Sequence, residues 1–333
     1  MNVNLSIIGG GSWGTALAIA LAHRFDDVHL WVFETDLAAR IQSTRENDPY
    51  LPGFRLPENV VATPDLPEAL RDANIVLGVM PSQHARELYS TMLPYLNPSM
   101  IVISATKGIE KGSLMRMSAI ALQVLGARFE PKVAVLSGPT FAREIASGEP
   151  AAVAISSIDL DVARPVQTAF SSSNLRLYTN QDPIGVEVGA ALKNVVAIAA
   201  GVCHGLGLGN NTKAALIARG LAEITRLAVA MGGQRETLAG LAGLGDLVLT
   251  CSGDLSRNRM VGIELARGKK LPEILASTNM IAEGVETCDA AVALGRKFQV
   301  DLPIVEQMHA VLHQSKSPQA ALKDLMERSL KGE

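Results

Sequence analysis

Hydrophobic residues in the first half of the chain fall in short runs, and most of these runs are separated by polar, helix-like segments. The runs lie at residues 5–8, 28–34, 75–79, 100–104, 133–136, 151–155 and 175–178. Buried strands that alternate with helices are typical of a mostly parallel sheet covered on both faces. We therefore predict a doubly wound α/β sheet for this half.

Beyond residue 183 the short runs give way to long stretches rich in Ala, Leu and Gly. Helices are predicted at 184–201, 213–231, 257–267, 272–276, 286–298 and 303–313, with turns at 205–211 and 240–245. The predicted fold class is α/β plus all-α. A Rossmann-type N-terminal domain, residues 1–183, is followed by an all-helical C-terminal domain, residues 184–333.

The composition indicates a compact globular protein and narrows its partners. Of the 333 residues, 48% are hydrophobic and 19% are charged, which is enough apolar surface for well-buried cores. The net charge is −3 and no run of like charge stands out, which argues against nucleic acid or an anionic membrane as the main partner. The three cysteines lie far apart, so we expect no disulfides and a reduced, cytoplasmic setting.

Neither a signal peptide nor a membrane span is expected. The N-terminus reaches the first apolar run without a basic region or a cleavage site. Residues 184–203 are long enough to cross a bilayer, but they include Glu187 and Lys193. We interpret this segment as a buried helix and expect no integral membrane association.

The first apolar run leads into a glycine motif. Residues 5–18 read LSIIGGGSWGTALA, in which Gly9, Gly11 and Gly14 have G-x-G-x-x-G spacing. The first glycine permits a tight turn, the second lets the backbone approach a pyrophosphate, and the third packs the helix on the strand. The motif alone is weak, but a strand before it and a helix after it predict a dinucleotide site.

The end of the second apolar run bears on the choice of cofactor. An acidic side chain there accepts a hydrogen bond from the ribose 2′-hydroxyl of NAD and repels the 2′-phosphate of NADP. Glu34 and Asp36 are the candidates, and no Arg or Lys stands at the end of this run. NAD(H) is therefore favoured, while use of NADP(H) stays open.

Two lysines have unusual settings. Lys107 lies in the turn after the run 100–104, where ligands of parallel sheets bind, so it is either ordinary surface or a cation facing an anionic ligand. Lys193 lies on the predicted helix 184–201, either as a site residue or as a core-helix lysine that extends to water. Small residues flank Lys193 at helical spacing: Gly185, Gly189, Ala197 and Gly201. Small residues let backbone or a ligand approach, and we interpret them as the surface where cofactor, substrate and helix meet.

Two polar clusters stand out in the helical half. Asp246, within GLAGLGDLVLTC, is either a helix N-cap or a site residue. The segment Ser256-Arg257-Asn258-Arg259 follows a turn and is either a solvated basic helix start or a phosphate site, since a guanidinium beside hydroxyl and amide donors suits a phosphate.

A third group carries no metal signature. His309 and His313, with Glu306 one turn earlier, do not form H-E-x-x-H. We interpret them as a surface helix, and no metal site is predicted.

These segments together resemble the NAD(P)-dependent glycerol-3-phosphate dehydrogenases over nearly the whole chain. The matching blocks, in order, are GGGSWGTALA, ATKGIE, SGPTFAREIA, GVEVGAALKNVVAIAAG, NTKAALIARGLAE, GLGDLVLTC and SRNR. Ordered blocks of this kind are far more specific than a lone glycine motif. LGDLVLTC and SRNR are similar to the bacterial form, whereas LWVFETD and YLPGFRLPENVVATPD are similar to the eukaryotic NAD-specific form.

The resemblance implies reversible hydride transfer between NAD(P)H and the C2 ketone of dihydroxyacetone phosphate, giving sn-glycerol 3-phosphate for phospholipid synthesis. It implies Lys193 as the catalytic residue, with Asp246 holding this lysine or a substrate hydroxyl and Arg257 at the phosphate. The implied substrate contacts are Lys107, Gly138, Thr140, Lys193, Asp246, Ser256, Arg257 and Asn258. Besides the motif glycines, the implied cofactor contacts are Ser12, Trp13, Phe33, Lys107, Ala142, Arg257, Ile281 and Glu283.

The chemistry of the residues agrees with this implication. A hydride that reaches a ketone carbon leaves an alkoxide, which a nearby ammonium group stabilises and protonates. Desolvation lowers the pKa of a lysine and brings proton transfer nearer to neutral pH. Phe33 stands where many bacterial members of the family carry a basic residue or histidine, which argues against a preference for NADP.

Two other functions stay open at this point. One is another lysine-dependent two-domain reductase, of the β-hydroxyacid type, which would not need the phosphate-binding SRNR segment. The other is a non-catalytic NADH sensor, which the presence of Lys193, Asp246 and Arg257 disfavours. From family likeness we expect a homodimer that acts on a small phosphorylated triose or glycerol.

Overall fold

The computed structural model describes residues 3–276, 282–330 and 332, and its N-terminal half contains an eight-stranded sheet. The strands are β1 Leu5–Ile8, β2 Val28–Trp31, β3 Val60–Thr63, β4 Ile75–Gly78, β5 Ile101–Ser104, β6 Lys132–Ser137, β7 Ala151–Ser156 and β8 Leu175–Asn180. Their spatial order is β3-β2-β1-β4-β5-β6-β7-β8. Neighbouring strands run parallel except β6 and β7, which pair antiparallel.

The helices form two groups along the chain. Those around the sheet are α1 Ser12–Leu21, α2 Thr35–Thr44, α3 Leu66–Leu70, α4 Ala85–Met92, α5 Met117–Leu125, α6 Ala142–Ala146 and α7 Leu160–Phe170. Those that follow are α8 Pro183–Gly205, α9 Asn210–Ala230, α10 Arg235–Leu238, α11 Asp246–Ser252, α12 Arg257–Ala266, α13 Leu271–Ala276, α14 Glu283–Phe298, α15 Pro303–His313 and α16 Pro318–Met326. The predicted fold class is therefore confirmed: a Rossmann-type sheet and then helices.

The order of the strands reverses at β1, where the sequence predicts a dinucleotide site. β1 pairs with β2 on one side and with β4 on the other, so the chain winds outward in both directions from it. β1 and β4 are buried along their whole length, as expected for parallel strands covered on both faces. Ligands of such sheets bind beyond the carboxyl ends of the strands at this reversal.

Several elements differ from the sequence predictions. β2 ends at Trp31 and not at residue 34, because Glu34 already occupies the N-cap position of α2. The short edge strand β3 was not predicted, nor were α10, α11 and α16. The predicted turn 240–245 is largely a wide helical turn, Leu241–Gly245, that continues into α11.

The change from sheet to helices is fixed by a capping carboxylate. β8 ends at Asn180, and Asp182 follows as the N-cap of α8. Asp182 Oδ1 accepts from the Gly185 amide at 2.8 Å, and Oδ2 accepts from the Gln234 amide at 2.7 Å. One buried side chain thus starts α8 and ties it to the segment before α10.

α8 is the central helix of the second half. Every residue from Gly185 to Val202 is buried. Although α8 is long and apolar enough to cross a membrane, with a mean hydropathy of 1.6, 94% of its apolar window is buried by the fold. Its neighbours α9, α11, α12 and α14 supply the surrounding apolar core.

The glycines of α8 serve helix packing, so the interpretation of the small-residue stripe as a ligand surface is wrong. A Cβ atom on Gly201 would lie 1.9 Å from the Arg259 carbonyl oxygen, and one on Gly189 would lie 2.9 Å from that of Ala242. The contact is reciprocal, since a Cβ on Gly262 would lie 1.9 Å from the Ile198 oxygen. The small residues bring α12 and the Leu241–Gly245 turn against α8, backbone to backbone.

Candidate active site

Two lysines from different halves of the chain meet at one buried carboxylate. Lys193 on α8 donates its ammonium to Oδ1 of Asp246, the first residue of α11. Lys107, from the loop after β5, donates to the other oxygen, Oδ2, at 2.9 Å. Asp246 is 1% exposed and Lys193 is 5% exposed, so this cluster is shielded from bulk water.

Asp246 therefore does not act as a helix N-cap. The cap position of α11 belongs to Gly245, and no side chain caps this helix. Thr250, one turn further along α11, contributes to the same cluster: its Oγ1 accepts from Lys193 Nζ at 2.8 Å and donates to the Asp246 carbonyl oxygen at 2.6 Å. Sequence reasoning missed Thr250, although its spacing of four residues from Asp246 places both on one helix face.

The electrostatic environment lowers the pKa of Lys193 to about 7. Burial is the largest cause, because it disfavours the charged ammonium, and the positive charge of Lys107 adds to it. The charge of Asp246 opposes the shift. An amine with this pKa exchanges protons readily near neutral pH.

Lys107 is also held by the loop that follows β6. Its Nζ donates to the Gly138 carbonyl oxygen at 3.1 Å and to Thr140 Oγ1 at 3.2 Å. A Cβ atom on Gly138 would lie 2.9 Å from the Cα of Val153, so the close pass of this loop over β7 requires glycine. The structure thus brings Lys107, Gly138 and Thr140 together with Lys193 and Asp246.

The start of α12 is buried except for one arginine. Ser256 caps the helix, with its Oγ accepting from the Arg259 amide at 3.2 Å. Ser256, Asn258 and Arg259 are buried, so the interpretation as a solvated basic helix start is wrong for them. Arg257 is exposed at the first position of the helix. Asn258 Oδ1 accepts from the Gly284 amide at 2.9 Å, which joins α12 to α14.

Glu283 connects the helical half to the cofactor half. Its Oε2 accepts from Ser82 Oγ at 2.6 Å, and its Oε1 accepts from the Ser82 amide at 3.2 Å. Ser82 lies in the turn after β4, beside the crevice at the sheet reversal. Burial raises the pKa of the Glu283 carboxyl, and the Ser82 hydrogen bonds oppose this.

The glycine motif has the geometry of a dinucleotide site. Gly9 has φ +130°, and a Cβ there would lie 2.6 Å from the Val79 oxygen; one on Gly14 would lie 1.9 Å from the Gly9 oxygen. By contrast, a Cβ on Gly11 would meet nothing within 4 Å in the described part of the chain. The turn is therefore closed toward the protein and open in front of the α1 N-terminus, as a bound pyrophosphate requires.

A buried asparagine holds this turn and was missed from the sequence. Asn47 is fully buried, and its Nδ2 donates to the Gly10 carbonyl oxygen at 2.8 Å and to Thr15 Oγ1 at 2.7 Å. Ser12 Oγ donates to the Tyr50 carbonyl oxygen at 2.5 Å, so the same segment also fixes the start of α1. The Trp13 indole Nε1 is buried and has no hydrogen-bond partner among the described residues.

The end of β2 presents one aromatic and two acidic side chains. Phe33 is 78% exposed and contacts Trp31 edge to face, with ring centroids 6.1 Å apart. Glu34 Oε1 accepts from the Tyr50 hydroxyl at 3.0 Å, and Asp36 is exposed in the first turn of α2.

Two further predicted cofactor contacts lie elsewhere. Ala142 is the first residue of α6, after the Gly138–Thr140 loop. Ile281 lies outside the described residues.

The fold and this cluster define a class of protein: a two-domain, nicotinamide-dependent oxidoreductase with its lysines at the domain junction. The N-terminal model of NAD-dependent glycerol-3-phosphate dehydrogenase matches residues 4–163, and the C-terminal model matches residues 182–323. The chain belongs to the NAD-dependent glycerol-3-phosphate dehydrogenase family, as its resemblance indicated.

Relatives match along the full length. A glycerol-3-phosphate dehydrogenase [NAD(P)+] of Koribacter versatilis is 53% identical over 97% of both chains. One of Geobacter sp. (strain M21) is 50% identical over 100% of this chain and 99% of its own. The crystal structure of glycerol-3-phosphate dehydrogenase from Coxiella burnetii has a TM-score of 0.94 and 38% identity, covering 98% of this chain and 99% of that chain.

Proposed function

We propose that this chain catalyses reversible hydride transfer between NAD(H) and dihydroxyacetone phosphate, giving sn-glycerol 3-phosphate, with Lys193 as the general acid and base. The observation that carries the proposal is the buried Lys193 ammonium, which shares the Asp246 carboxylate with Lys107 where the two halves meet. The names of full-length relatives at about 50% identity support the same reaction.

The residues supply the proton chemistry of this reaction. A bound nicotinamide would supply the hydride that reaches the ketone carbon. The ketone oxygen then gains negative charge, which the Lys193 ammonium stabilises and neutralises by giving up a proton. With a pKa of about 7, Lys193 can also accept that proton in the reverse direction. Asp246 and Thr250 orient the Lys193 ammonium, because each accepts one of its hydrogen bonds.

The substrate would lie between the Lys107 loop and the start of α12. Arg257, exposed at the first position of α12, is the residue we assign to the phosphate, with Ser256 and Asn258 beside it. Thr140 and the Gly138 loop would contact the substrate from the cofactor half, because both already hold Lys107. A phosphorylated triose carries the ketone and the dianion that these groups match.

The cofactor would bind at the open face of the glycine turn, with its pyrophosphate at the α1 N-terminus, and we assign NAD(H) as the preferred form. Ser12 and Trp13 start α1, Phe33 is exposed at the end of β2, and Glu34 follows it. The Tyr50 hydroxyl holds the Glu34 carboxylate in place, where it would accept from a ribose hydroxyl and repel a 2′-phosphate. The assigned contacts also include Lys107, Ala142, Arg257 and Glu283.

We further propose a cytoplasmic homodimer that supplies glycerol phosphate for phospholipid synthesis and has no nucleic-acid partner. The net charge of −3 and the three unpaired cysteines support this setting. Light scattering on the purified protein should then give twice the 35.2 kDa of one chain.

Steady-state kinetics with each reduced nicotinamide test the function. We expect dihydroxyacetone phosphate to be reduced with NADH at least as well as with NADPH. Lys193→Met should lower kcat by about 10²- to 10⁴-fold, the usual worth of general acid catalysis, while the NADH dissociation constant stays within about twofold. A variant with near-native kcat would remove Lys193 from the mechanism.

Other substrates decide between this function and its alternatives. Turnover of a β-hydroxyacid in place of the triose phosphate would assign the chain to the other type of lysine-dependent reductase. NADH binding without turnover of either substrate would indicate a sensor. A strong preference for NADPH would overturn the role given to Glu34.

A further inference from the structure

Glu187 is a second buried charge on α8, and the proposed mechanism does not use it. The carboxylate lies six residues before Lys193, about 9 Å along the helix axis. It is 3% exposed, although burying a carboxylate is costly unless it is paired and hydrogen-bonded. Its partners therefore need an explanation.

Among the residues that the structure describes, the hydrogen-bond partners of the Glu187 carboxylate belong to the cofactor half. Oε1 accepts from the Ser118 amide at 2.7 Å, and Oε2 accepts from Ser118 Oγ at 2.6 Å. Oε2 also accepts from Arg116 Nη1 in an ion pair. Arg116 is the N-cap residue of α5 and Ser118 is in its first turn, so the carboxylate also complements the helix N-terminus.

Arg116 in turn is connected to the loop that carries Lys107. Its backbone forms an antiparallel bridge with Ile109, two residues after Lys107. Ile109 is fully buried and packs in the same apolar cluster as Val188 and Leu192 of α8. The loop 107–116 therefore rests on α8 through the apolar cluster, which holds Ile109 and Leu114, and through the ion pair of Arg116 with Glu187.

These contacts close a ring around the active site. Lys193 binds Asp246, Asp246 binds Lys107, and the Lys107 loop returns to α8 through Arg116 and Glu187. If the charged link were lost, the Arg116 end of the loop could shift while Ile109 and Leu114 stayed in the apolar cluster. The shift would move Lys107 relative to the Lys193 ammonium.

We propose that Glu187 is a positioning residue, which holds the Lys107 loop against α8 through Arg116 and Ser118 so that both ammonium groups meet Asp246. This inference rests on the proposed function, because the lysines matter as substrate and proton groups. It assigns Glu187 no contact with substrate or cofactor.

Substitutions at both ends of the link test the role. Glu187→Gln keeps the shape and one oxygen acceptor but loses the ion pair, and Arg116→Met removes the partner. A displacement of about 1 Å at a reacting group can cost about 10²-fold. We expect each variant to lower kcat/KM for dihydroxyacetone phosphate by about 10- to 100-fold, with NADH binding within about twofold of wild type. Arg116→Lys, which retains the charge, should recover part of the loss.

Glu223→Gln is the matched control. Glu223 is 2% exposed on α9 and, like Glu187, accepts from backbone amides, those of Ile304 and Val305. No contact recorded among the described residues links it to either lysine. We expect this variant to lose stability but keep kcat/KM within about threefold, since its loss does not reach the site. An equal kinetic loss in Glu223→Gln would reduce the Glu187 effect to general destabilisation and overturn the proposal.

A readout independent of turnover separates this proposal from the function. Acetylation of Lys193 by acetic anhydride, followed by mass spectrometry across pH, reports the pKa of its amine. The charged groups that face Lys193 are Asp246 and Lys107, and the Cys251 thiol beside them stays neutral because burial raises its pKa to about 12. In Glu187→Gln the acetylation profile should move to higher pH. The loop then moves the charge of Lys107 away from Lys193 and lets water in, and both changes raise the pKa of Lys193.

Each outcome then has one meaning. Absence of turnover in wild type would contradict the proposed function. The acetylation profile would still test whether Glu187 positions the Lys107 loop, because it does not depend on turnover. Wild-type kinetics together with an unshifted profile in Glu187→Gln and Arg116→Met would overturn the positioning role.

Discussion

Thr250 is a neutral side chain that contacts the Lys193 ammonium directly. Its hydroxyl accepts a hydrogen bond from Lys193 Nζ at 2.8 Å and donates one to the Asp246 carbonyl oxygen at 2.6 Å. That orientation leaves the hydroxyl oxygen facing the ammonium as an acceptor. A hydrogen bond to the charged form of an amine favours that form and so raises its pKa.

We therefore predict a change in the pH profile when the hydroxyl is removed. Thr250→Val is nearly isosteric but offers Lys193 no acceptor, so the pKa of Lys193 should fall and the pH profile of kcat should move to lower pH. We expect kcat to fall by about tenfold, the worth of one hydrogen bond to a charged group. Thr250→Ser, measured in the same pH series, should restore the profile. An unchanged profile in the valine variant would show that the Thr250 hydrogen bond does not affect the pKa of Lys193.

The sequence pointed to both lysines and to Asp246, but not to Thr250 and not to the contacts that bring these residues together. Lys193 was found through the small residues around it, which proved to pack against α12 and the Leu241–Gly245 turn. Lys107 was ambiguous because its partner, Asp246, lies 139 positions away, beyond the reach of any local pattern. The sequence shows that Asp246 is acidic, but it does not show whether the carboxylate caps a helix or binds lysines. Tertiary packing decides this, because it brings both lysines to Asp246.

At the scale of elements, the crossing of α8 and α12 fixes the position of the α12 start, to which we assign the substrate phosphate. Gly201 and Gly262 let the two backbones touch, and Ser256 and Arg257 start α12 a few residues from this contact. Both helices were predicted from periodicity, with ends within four residues of those observed. Their crossing was not predictable, because glycine in a helix is equally consistent with packing or with a ligand.

A methyl group at this crossing should separate the helices. A Cβ atom on Gly262 would lie 1.9 Å from the Ile198 carbonyl oxygen, and backbone cannot move aside as a side chain can. Overpacking of this kind costs about 1–3 kcal/mol, so Gly262→Ala should lower the free energy of unfolding by that amount. The KM for dihydroxyacetone phosphate should rise, because the start of α12 moves with the helix. Urea unfolding and steady-state kinetics measure the two effects.

Gly209 provides the control for this prediction. It lies in the same half of the chain with φ −79°, and a Cβ there would meet nothing within 4 Å in the described residues. Gly209→Ala should cost less than about 1 kcal/mol, as for a helix-cap change, and leave KM unaltered. Equal effects of the two substitutions would mean that α8 and α12 tolerate a wider spacing.

Over the whole molecule, buried charges couple stability to pH. Glu223 caps α15 from α9, and burial raises its pKa from 4.5 to about 7. The Glu223 carboxyl thus holds its proton more tightly in the folded state than in the unfolded chain. The stabilisation that comes from this difference is complete below pH 4.5 and is lost as pH rises through 7. Lys193 acts oppositely at higher pH: with its pKa lowered from 10.5 to about 7, the unfolded chain binds more protons between these values, and stability rises there.

Glu223→Gln separates the effect of Glu223 on the pH dependence of stability from the opposite effect of Lys193. The glutamine cannot ionise but keeps an oxygen that can accept from the Ile304 amide, and Lys193 is present in both proteins, so its contribution cancels in their difference. The free energy of unfolding of wild type minus that of the variant should fall between pH 5 and pH 8, by about 1.4 kcal/mol for each unit by which the Glu223 pKa is raised. Urea unfolding at half-unit steps of pH measures the difference. A flat difference would show that Glu223 stays ionised throughout, with its two backbone hydrogen bonds outweighing the cost of burial.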